Sequence, residues 1–191
     1  MALVDRVKNL LLNPKEEWPV IDAEPTTPAE LYKENIIPLA AIGPVASSIG
    51  SLVFGYHAFG MSYRPAIGTV LSSAIVTYLL TLGGVYVLAL IIDALAPNFG
   101  GISNQVQALK VAAYASTASW VAGIFWLIPA LSWLGILGLY SLYLLYLGLP
   151  ILMKAPEEKA AGYTGVVIIA AIVLFLVIGL VAGTFMAGTF G

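Results

Sequence analysis

Long apolar stretches separated by short polar segments make up most of this chain from about residue 36 onward. Each stretch reaches the roughly 20 residues that an α-helix needs to cross the hydrocarbon core of a bilayer. The pattern predicts five transmembrane helices, near residues 36–59, 66–96, 108–128, 130–153 and 164–188. Almost no polar sequence separates the third from the fourth, so these two are expected to form a tight helical hairpin. The predicted fold class is all-α, a polytopic membrane helix bundle.

Residues 1–35 have a different pattern and are predicted to form an N-terminal arm that precedes a membrane domain of residues 36–191. Its first turns are typical of a short amphipathic helix, because apolar and polar residues fall on opposite sides of a helical wheel. The apolar side comprises Leu3, Val4, Val7, Leu10 and Leu11, and the polar side Asp5, Arg6, Lys8 and Asn9. Such a helix can lie in the membrane interface or pack on the rest of the protein, and the pattern supports both.

A proline-rich connector follows the first helix of the arm. Within it, Thr27-Pro28-Ala29-Glu30 predicts the start of a further short helix, with Thr27 as the N-cap and Glu30 closing a capping box. This helix is expected to lead into the bilayer.

Composition agrees with a membrane protein, because 60% of the residues are hydrophobic and only 9% are charged. The arm contains four Lys/Arg and seven Asp/Glu, whereas residues 111–153 contain no charged residue at all. The net charge of −2 gives no reason to expect a nucleic-acid partner. The expected partner is the lipid bilayer.

Lysine and arginine predict the orientation, since these residues favour the cytoplasmic side. With the N-terminus inside, seven of them lie on the inner segments: Arg6, Lys8, Lys15, Lys33, Lys110, Lys154 and Lys159. The outer segments then carry only Arg64. Five spans place the C-terminus outside.

Small residues recur every fourth position on three of the predicted helices, which allows helix backbones to approach closely. The first seam is Gly43, Ser47, Ser51 and Gly55; the second is Ala115, Ser119 and Gly123; the third is Gly179, Gly183 and Ala187. Such seams are usual in packing within one chain. They also allow a homodimer, for which the terminal helix is the best candidate.

Few residues suggest chemistry. Asp93 is the one acid inside a predicted span, and Lys110 is the nearest cation by sequence, so a structural Asp93–Lys110 ion pair is expected ahead of an ion- or proton-handling role. The single histidine, His57, is interpreted as an interfacial residue. With one histidine and no cysteine, no catalytic triad, metal site or cofactor is predicted.

Hydroxyl groups are the remaining candidate polar groups. Tyr140, Tyr143 and Tyr146 form a one-sided stripe that favours hydrogen bonds to neighbouring helices over a ligand, and Tyr114 is a further candidate. Serine and threonine on the second predicted helix are expected to donate to carbonyls of their own helix; these are Ser72, Ser73, Thr77 and Thr81.

Several short motifs resemble those of bacterial members of the Yip family, the Ypt/Rab-interacting membrane proteins. They are Asn13-Pro14-Lys15-Glu16-Glu17-Trp18-Pro19, Phe99-Gly100-Gly101, Gln107-Ala108-Leu109-Lys110 up to Tyr114, Tyr140-Ser141-Leu142-Tyr143, Leu147-Gly148-Leu149-Pro150, Lys154-Ala155-Pro156 and Lys159 up to Thr164. The resemblance implies five spans, a cytoplasmic N-terminus and a place in the bacterial plasma (inner) membrane. Eukaryotic members are linked to vesicle traffic and Rab GTPases, but the short arm and the bacterial context do not carry that activity over. The resemblance implies no catalytic residue.

The favoured function is that of a non-enzymatic membrane protein that organises the bilayer or acts as a scaffold, alone, as a homo-oligomer or with other membrane proteins. The alternative is a small channel or transporter for uncharged or weakly charged solutes. A polar cavity at mid-membrane would favour the transporter, and a dry, closed bundle the scaffold. A lipid-modifying enzyme ranks third, because it would lack an acid–base pair.

Overall fold

Helices dominate the protein in a computed structural model that describes the main chain of residues 2–58 and 61–187 and the side chains of residues 2–55 and 64–180. Two helices form most of the arm: α1 spans Leu3–Leu12 and α2 spans Pro14–Ala23. Only Asn13 separates them. Pro14 suits the first turn of α2, where its missing N–H removes no helical hydrogen bond.

The next helix, α3, spans Pro28–Leu31 and begins with the predicted capping box, which the structure confirms. The hydroxyl of Thr27 accepts from the N–H of Glu30 at 3.3 Å, and the Glu30 carboxylate accepts from the N–H of Thr27 at 2.8 Å. Two N–H groups that a helix start leaves without partners are thereby satisfied.

The chain then continues into the membrane through a helix that is not uniform. A π-helix spans Tyr32–Ile36, followed by α4 at Ile37–Ala40 and α5 at Ile42–Phe54. The helix ends there because Gly55 has φ of 71° and ψ of −173°, a conformation essentially restricted to glycine. Gly55 therefore terminates α5 and does not extend the predicted small-residue seam along a helix.

A small antiparallel hairpin follows, in which Tyr56–Ala58 (β1) pairs with Met61–Tyr63 (β2). The side chain of His57 lies outside the described residues. The remaining helices are α6 at Ile67–Leu95, a 3-10 helix at Ala96–Phe99, α7 at Gln105–Ala122, 3-10 helices at Gly123–Leu127 and Pro129–Leu139, α8 at Tyr140–Leu152, and α9 at Glu157–Ala187.

Within the described residues, four helical segments are long and apolar enough to cross a membrane: Pro28–Phe54, Ile67–Phe99, Pro129–Leu152 and Glu157–Leu180. Their outward surfaces are apolar, as lipid contact requires; on α9, for example, Ile169 and Leu176 are 63% and 62% exposed. The predicted all-α membrane bundle is confirmed, with the hairpin as a small addition.

The third predicted span corresponds to α7 and is not among these four. It is the central helix, and its buried positions include Leu109, Val111, Ala112, Ala113 and Ala118. A helix surrounded by protein needs small side chains for close packing more than it needs high hydropathy. At its end, the main-chain N–H of Ser119 donates to the Ser141 hydroxyl at 3.0 Å, which joins α7 to the start of α8 in the predicted hairpin.

Glycine contacts hold the end of α7 against the first membrane helix. A Cβ added to Gly123 would lie 2.9 Å from the Cα of Gly43, and one added to Gly50 would lie 2.5 Å from the carbonyl oxygen of Trp126. The first two seams therefore meet inside the chain at Gly43 and Gly123. By contrast, a Cβ on Gly179 would meet nothing within 4 Å, and the surroundings of Gly183 are not described. A dimer through α9 stays a prediction.

The arm belongs to the hydrophobic core of the bundle. Leu10 and Trp18 are fully buried and Ile21 is 1% exposed, in one cluster with residues of α6, α7 and α8. Of the predicted apolar side of α1, Leu10 packs on the rest of the protein, whereas Val4 is 76% exposed, so the membrane-interface interpretation stays a prediction.

Candidate functional site: the docked arm and its polar pocket

Lys110 holds the arm to the bundle from the first turns of α7. Lys110 is 3% exposed, and its ammonium donates to the main-chain carbonyl oxygens of Ile21 at 2.8 Å, Glu24 at 2.6 Å and Asp22 at 3.5 Å. These carbonyls lie at the C-terminal end of α2, where a helix has unpaired acceptors and a partial negative charge. Since α2 has no basic residue in its own last turn, a lysine from another helix caps it.

The prediction of an ion pair between Asp93 and Lys110 is wrong. The Asp93 carboxylate, at the end of α6, accepts instead from the hydroxyl of Ser103 at 2.8 Å. Closeness in sequence suggested the pair, but the arm folds back and occupies all three ammonium donors. Asp93 has a polar partner in the loop that precedes α7.

Arg6 also lies in the interior, although the helical wheel placed it on the polar side of α1. It is 5% exposed and makes ion pairs with Glu17 and with Glu24. Its guanidinium lies 5.9 Å from the centre of the Tyr114 ring, within range of a cation–π interaction. The inward side of α1 thus includes Arg6 together with Leu10.

Trp18 is the apolar anchor of the arm. Its ring packs edge-on against Tyr114, with ring centres 6.4 Å apart. On its other side, a Cβ added to Gly148 would lie 2.7 Å from the indole, so only a glycine leaves room for this ring. The indole N–H is buried without a hydrogen-bond partner in the described chain.

A second set of polar contacts centres on Asp22. Its carboxylate accepts from the Lys154 ammonium at 2.5 Å and from the Gln107 side-chain amide at 3.1 Å. Lys154 has φ of 54°, the one positive φ of a non-glycine residue in the described chain. This strained backbone lies at the turn between α8 and α9 that faces the arm.

The tyrosine stripe is divided between different surroundings. The hydroxyl of Tyr140 donates to the carbonyl of Leu11 in the arm at 3.2 Å, and the rings of Tyr140 and Tyr143 lie 5.4 Å apart. Tyr143 and Tyr146 are 40% and 43% exposed. Of the three tyrosines, Tyr140 is the one shown in contact with the arm.

A polar pocket of about 600 Å³ lies between the arm and α7. Its lining includes Arg6, Glu24, Glu34, Asn35, Lys110 and Tyr114. Of the predicted site residues it brings together Lys110 and Tyr114. Sequence reasoning missed the role of Arg6 and Asn35, and nothing in the local pattern of Asn35 distinguished it.

A second cavity, of about 560 Å³, lies between α5, α6, α7 and α9. Several hydroxyl side chains line it, and most of them donate to carbonyls of their own helix, as Ser48 does to Pro44 at 2.7 Å and Ser116 to Ala112 at 2.7 Å. The expected back-bonding on α6 is confirmed for Ser72, Ser73 and Thr81. The cavity therefore presents mainly carbon.

The fold and this site define a multi-pass α-helical membrane protein whose N-terminal arm is docked on one end of its bundle. The chain belongs to the Yip1 family, since the Yip1 domain matches residues 8–179. It is similar to the inner membrane protein YohC of Escherichia coli strain K12, with 28% identity over 167 residues, 84% of this chain and 85% of that protein. The protein of the same name in strain CFT073 gives the same values. No solved structure matches the chain.

Proposed function

We propose that this chain is a non-enzymatic protein of the bacterial inner membrane that organises the bilayer or acts as a scaffold for other membrane proteins. In this proposal α7 is a fifth crossing, the docked arm lies on the cytoplasmic face, and the C-terminus is outside. The name of the E. coli relative and the seven-to-one distribution of Lys and Arg support the location and the orientation.

The observation that carries the proposal is the locked arm. Polar contacts join the arm to the bundle: buried Arg6 of α1 lies beside Tyr114 of α7, buried Lys110 of α7 donates to α2 carbonyls, and the exposed Lys154 after α8 pairs with Asp22 of α2. Two helices fixed on one face widen the cross-section of the protein there without extending it elsewhere. A bilayer adapts to such a wedge by bending, and the rigid face offers a surface for a partner protein.

The second candidate function is passage of a small uncharged solute, which the cavity between α5, α6, α7 and α9 favours. The weakness of this candidate is the bonding of the hydroxyls. Hydroxyls such as those of Ser48 and Ser116 already donate within their own helices. The cavity wall therefore has few free hydrogen-bond donors to replace the water molecules that a polar solute loses on entry.

Proteoliposomes separate the two functions. We expect glycerol and urea to cross at the protein-free rate in stopped-flow light scattering, while vesicle diameters in cryo-electron micrographs decrease as the protein-to-lipid ratio rises. Lys110→Met, which frees the arm, should abolish the change in diameter. Lys8→Met, an exposed arm lysine, is the matched control. Faster solute flux with unchanged diameters would support the transporter instead.

The orientation has its own test, because the chain contains no cysteine. Single cysteines at the exposed positions Ala23 and Arg64 should differ in intact cells: a membrane-impermeant maleimide should label Arg64→Cys at once and Ala23→Cys only after the cells are permeabilised. The reverse result would invert the topology.

A further inference from the structure

Asn35 is a buried polar residue without a partner. It is 3% exposed, and neither its amide nitrogen Nδ2 nor its amide oxygen Oδ1 has a hydrogen-bond partner in the described chain. Leaving both a donor and an acceptor unpaired in the interior is costly, and native proteins rarely do so without a function. Asn35 lines the polar pocket, so a bound group could satisfy both atoms.

The backbone is arranged to aim Asn35 at this pocket. It lies in the π-helix Tyr32–Ile36, whose wider turn lets Asn35 and Ile36 both face inward although they are adjacent. π-Helical turns are rare and are frequent at functional sites. The tyrosine that begins this turn is fixed, because the hydroxyl of Tyr32 donates to the carbonyl of Leu82 on α6 at 2.8 Å.

The charges around the pocket select a cation. Its lining contains the cations Arg6 and Lys110 and the carboxylates Glu24, Glu30 and Glu34, which leaves a net negative charge. Both cations are already engaged, Arg6 by Glu17 and Glu24, and Lys110 by carbonyl oxygens. Glu34 is exposed at the rim, and no ion pair to it is present among the described residues. An added anion would therefore meet occupied donors, whereas an added cation would meet a carboxylate and the oxygen of Asn35.

We propose that this pocket binds a primary ammonium group with an oxygen atom two carbons away, the chemistry of ethanolamine and of ethanolamine phospholipid head groups. The ammonium would donate to Oδ1 of Asn35 and lie near Glu34, and Nδ2 of Asn35 would donate to the ligand oxygen. The pocket adjoins the start of the apolar segment Pro28–Phe54, so a lipid head group at that end of a membrane-spanning helix would be within reach of it. This inference goes beyond the proposed scaffold function and does not depend on it.

Calorimetry on the purified full-length protein tests the shared chemistry. Ethanolamine should bind, and choline, whose methyl groups replace all the N–H donors, should bind at least tenfold more weakly. Asn35→Leu should lower ethanolamine affinity at least tenfold and should also raise the unfolding temperature of the free protein, because it removes two unpaired buried groups. The matched control is Asn98→Leu, at an exposed asparagine, which should leave ethanolamine affinity unchanged.

Glu34→Gln provides a second variant at an exposed position that should fold normally, and it should weaken ethanolamine several-fold while choline binding falls in parallel. Native mass spectrometry in equimolar phosphatidylethanolamine and phosphatidylcholine identifies the source of the ammonium group. If the protein retains phosphatidylethanolamine and the Asn35→Leu variant does not, the ligand is the lipid. If ethanolamine binds in calorimetry but no phosphatidylethanolamine is retained, the ligand is a soluble amine. Absence of ethanolamine binding, or equal binding by Asn35→Leu, would overturn the proposal and leave ordered water as the partner of the amide. The vesicle-diameter experiment would be unaffected.

Discussion

The two ends of the helix bundle are held together by different interactions. At the arm end, the buried Arg6–Glu17 ion pair joins α1 to α2, and hydrogen bonds from Lys110 and Tyr140 join the arm to α7 and α8. At the far end, Gly50 and Gly123 bring the first membrane helix into backbone contact with the 3-10 helix after α7. Lipid tails are as apolar as the helices themselves, so hydrophobic burial cannot hold the far end on its own, whereas the arm end also buries Leu10, Trp18 and Ile21.

Charged contacts and glycine contacts suit different positions relative to the membrane. Charged contacts are directional and select one docked geometry, but they require a site close to water, where ions are less costly to place. Glycine contacts need only the absence of a side chain and so function at any depth. The arm end should therefore respond most to the loss of a charge, and the far end to the gain of a methyl group.

The largest effect is expected from Arg6→Met. It leaves Glu17, which is 5% exposed, without its guanidinium, and breaking a buried ion pair from one side costs about 3–5 kcal/mol. Thermal unfolding in detergent should report the loss, and Arg6→Met with Glu17→Gln should recover part of it. An Arg6→Met protein as stable as Lys8→Met would show that the buried pair contributes nothing.

Lys110→Met should follow, with a loss of about 1.5–3 kcal/mol for hydrogen bonds made by a charged donor. The loss should be local, so that hydrogen exchange accelerates in α2 while α6 stays protected. Asp93→Asn should add to it without coupling, since Asp93 bonds Ser103 and not Lys110. A coupling energy between the two substitutions would contradict this and support an Asp93–Lys110 ion pair.

At the far end, Gly50→Ala should cost about 1–3 kcal/mol, because the new methyl group would lie 2.5 Å and 2.8 Å from two carbonyl oxygens of the neighbouring 3-10 helix. The arm should stay docked, with unchanged hydrogen exchange in α2. If α2 opened as well, the two ends would form one cooperative unit and the contrast between them would be lost.

The smallest effect, and the control for the previous one, is Gly68→Ala. A Cβ there meets nothing within 4 Å, and Gly68 lies in the first turn of α6. Replacing a helical glycine without a clash should stabilise the protein by up to about 1 kcal/mol. If Gly68→Ala lost as much stability as Gly50→Ala, the close approach of backbones at Gly50 would not be the cause of the Gly50→Ala destabilisation.

Sequence reasoning succeeded where the cause is local. The capping box at Thr27 and Glu30, and the back-bonding of Ser73 and Thr81, depend on residues within one turn, so their spacing is sufficient to predict them. It failed for Arg6, because a helical wheel assigns charge to solvent. Arg6 lies one turn from Leu3 and one from Leu10, which is the pattern of a shared face, and the acids that neutralise it are in another helix.

The order of residues is sufficient to define the class of this protein: an all-α membrane bundle of the Yip1 family, with a charged arm before long apolar helices. Length, hydropathy and local capping suffice for that, because they depend on the solvent and on neighbours within a turn. Packing between distant elements determines which face of the arm is buried, that Lys110 caps α2 and does not pair with Asp93, and that the π-turn directs Asn35 into a pocket. These depend on contacts between residues far apart in the chain, such as Lys110 and Ile21, which are 89 positions apart. A buried charge takes whichever partner the fold brings within hydrogen-bonding distance.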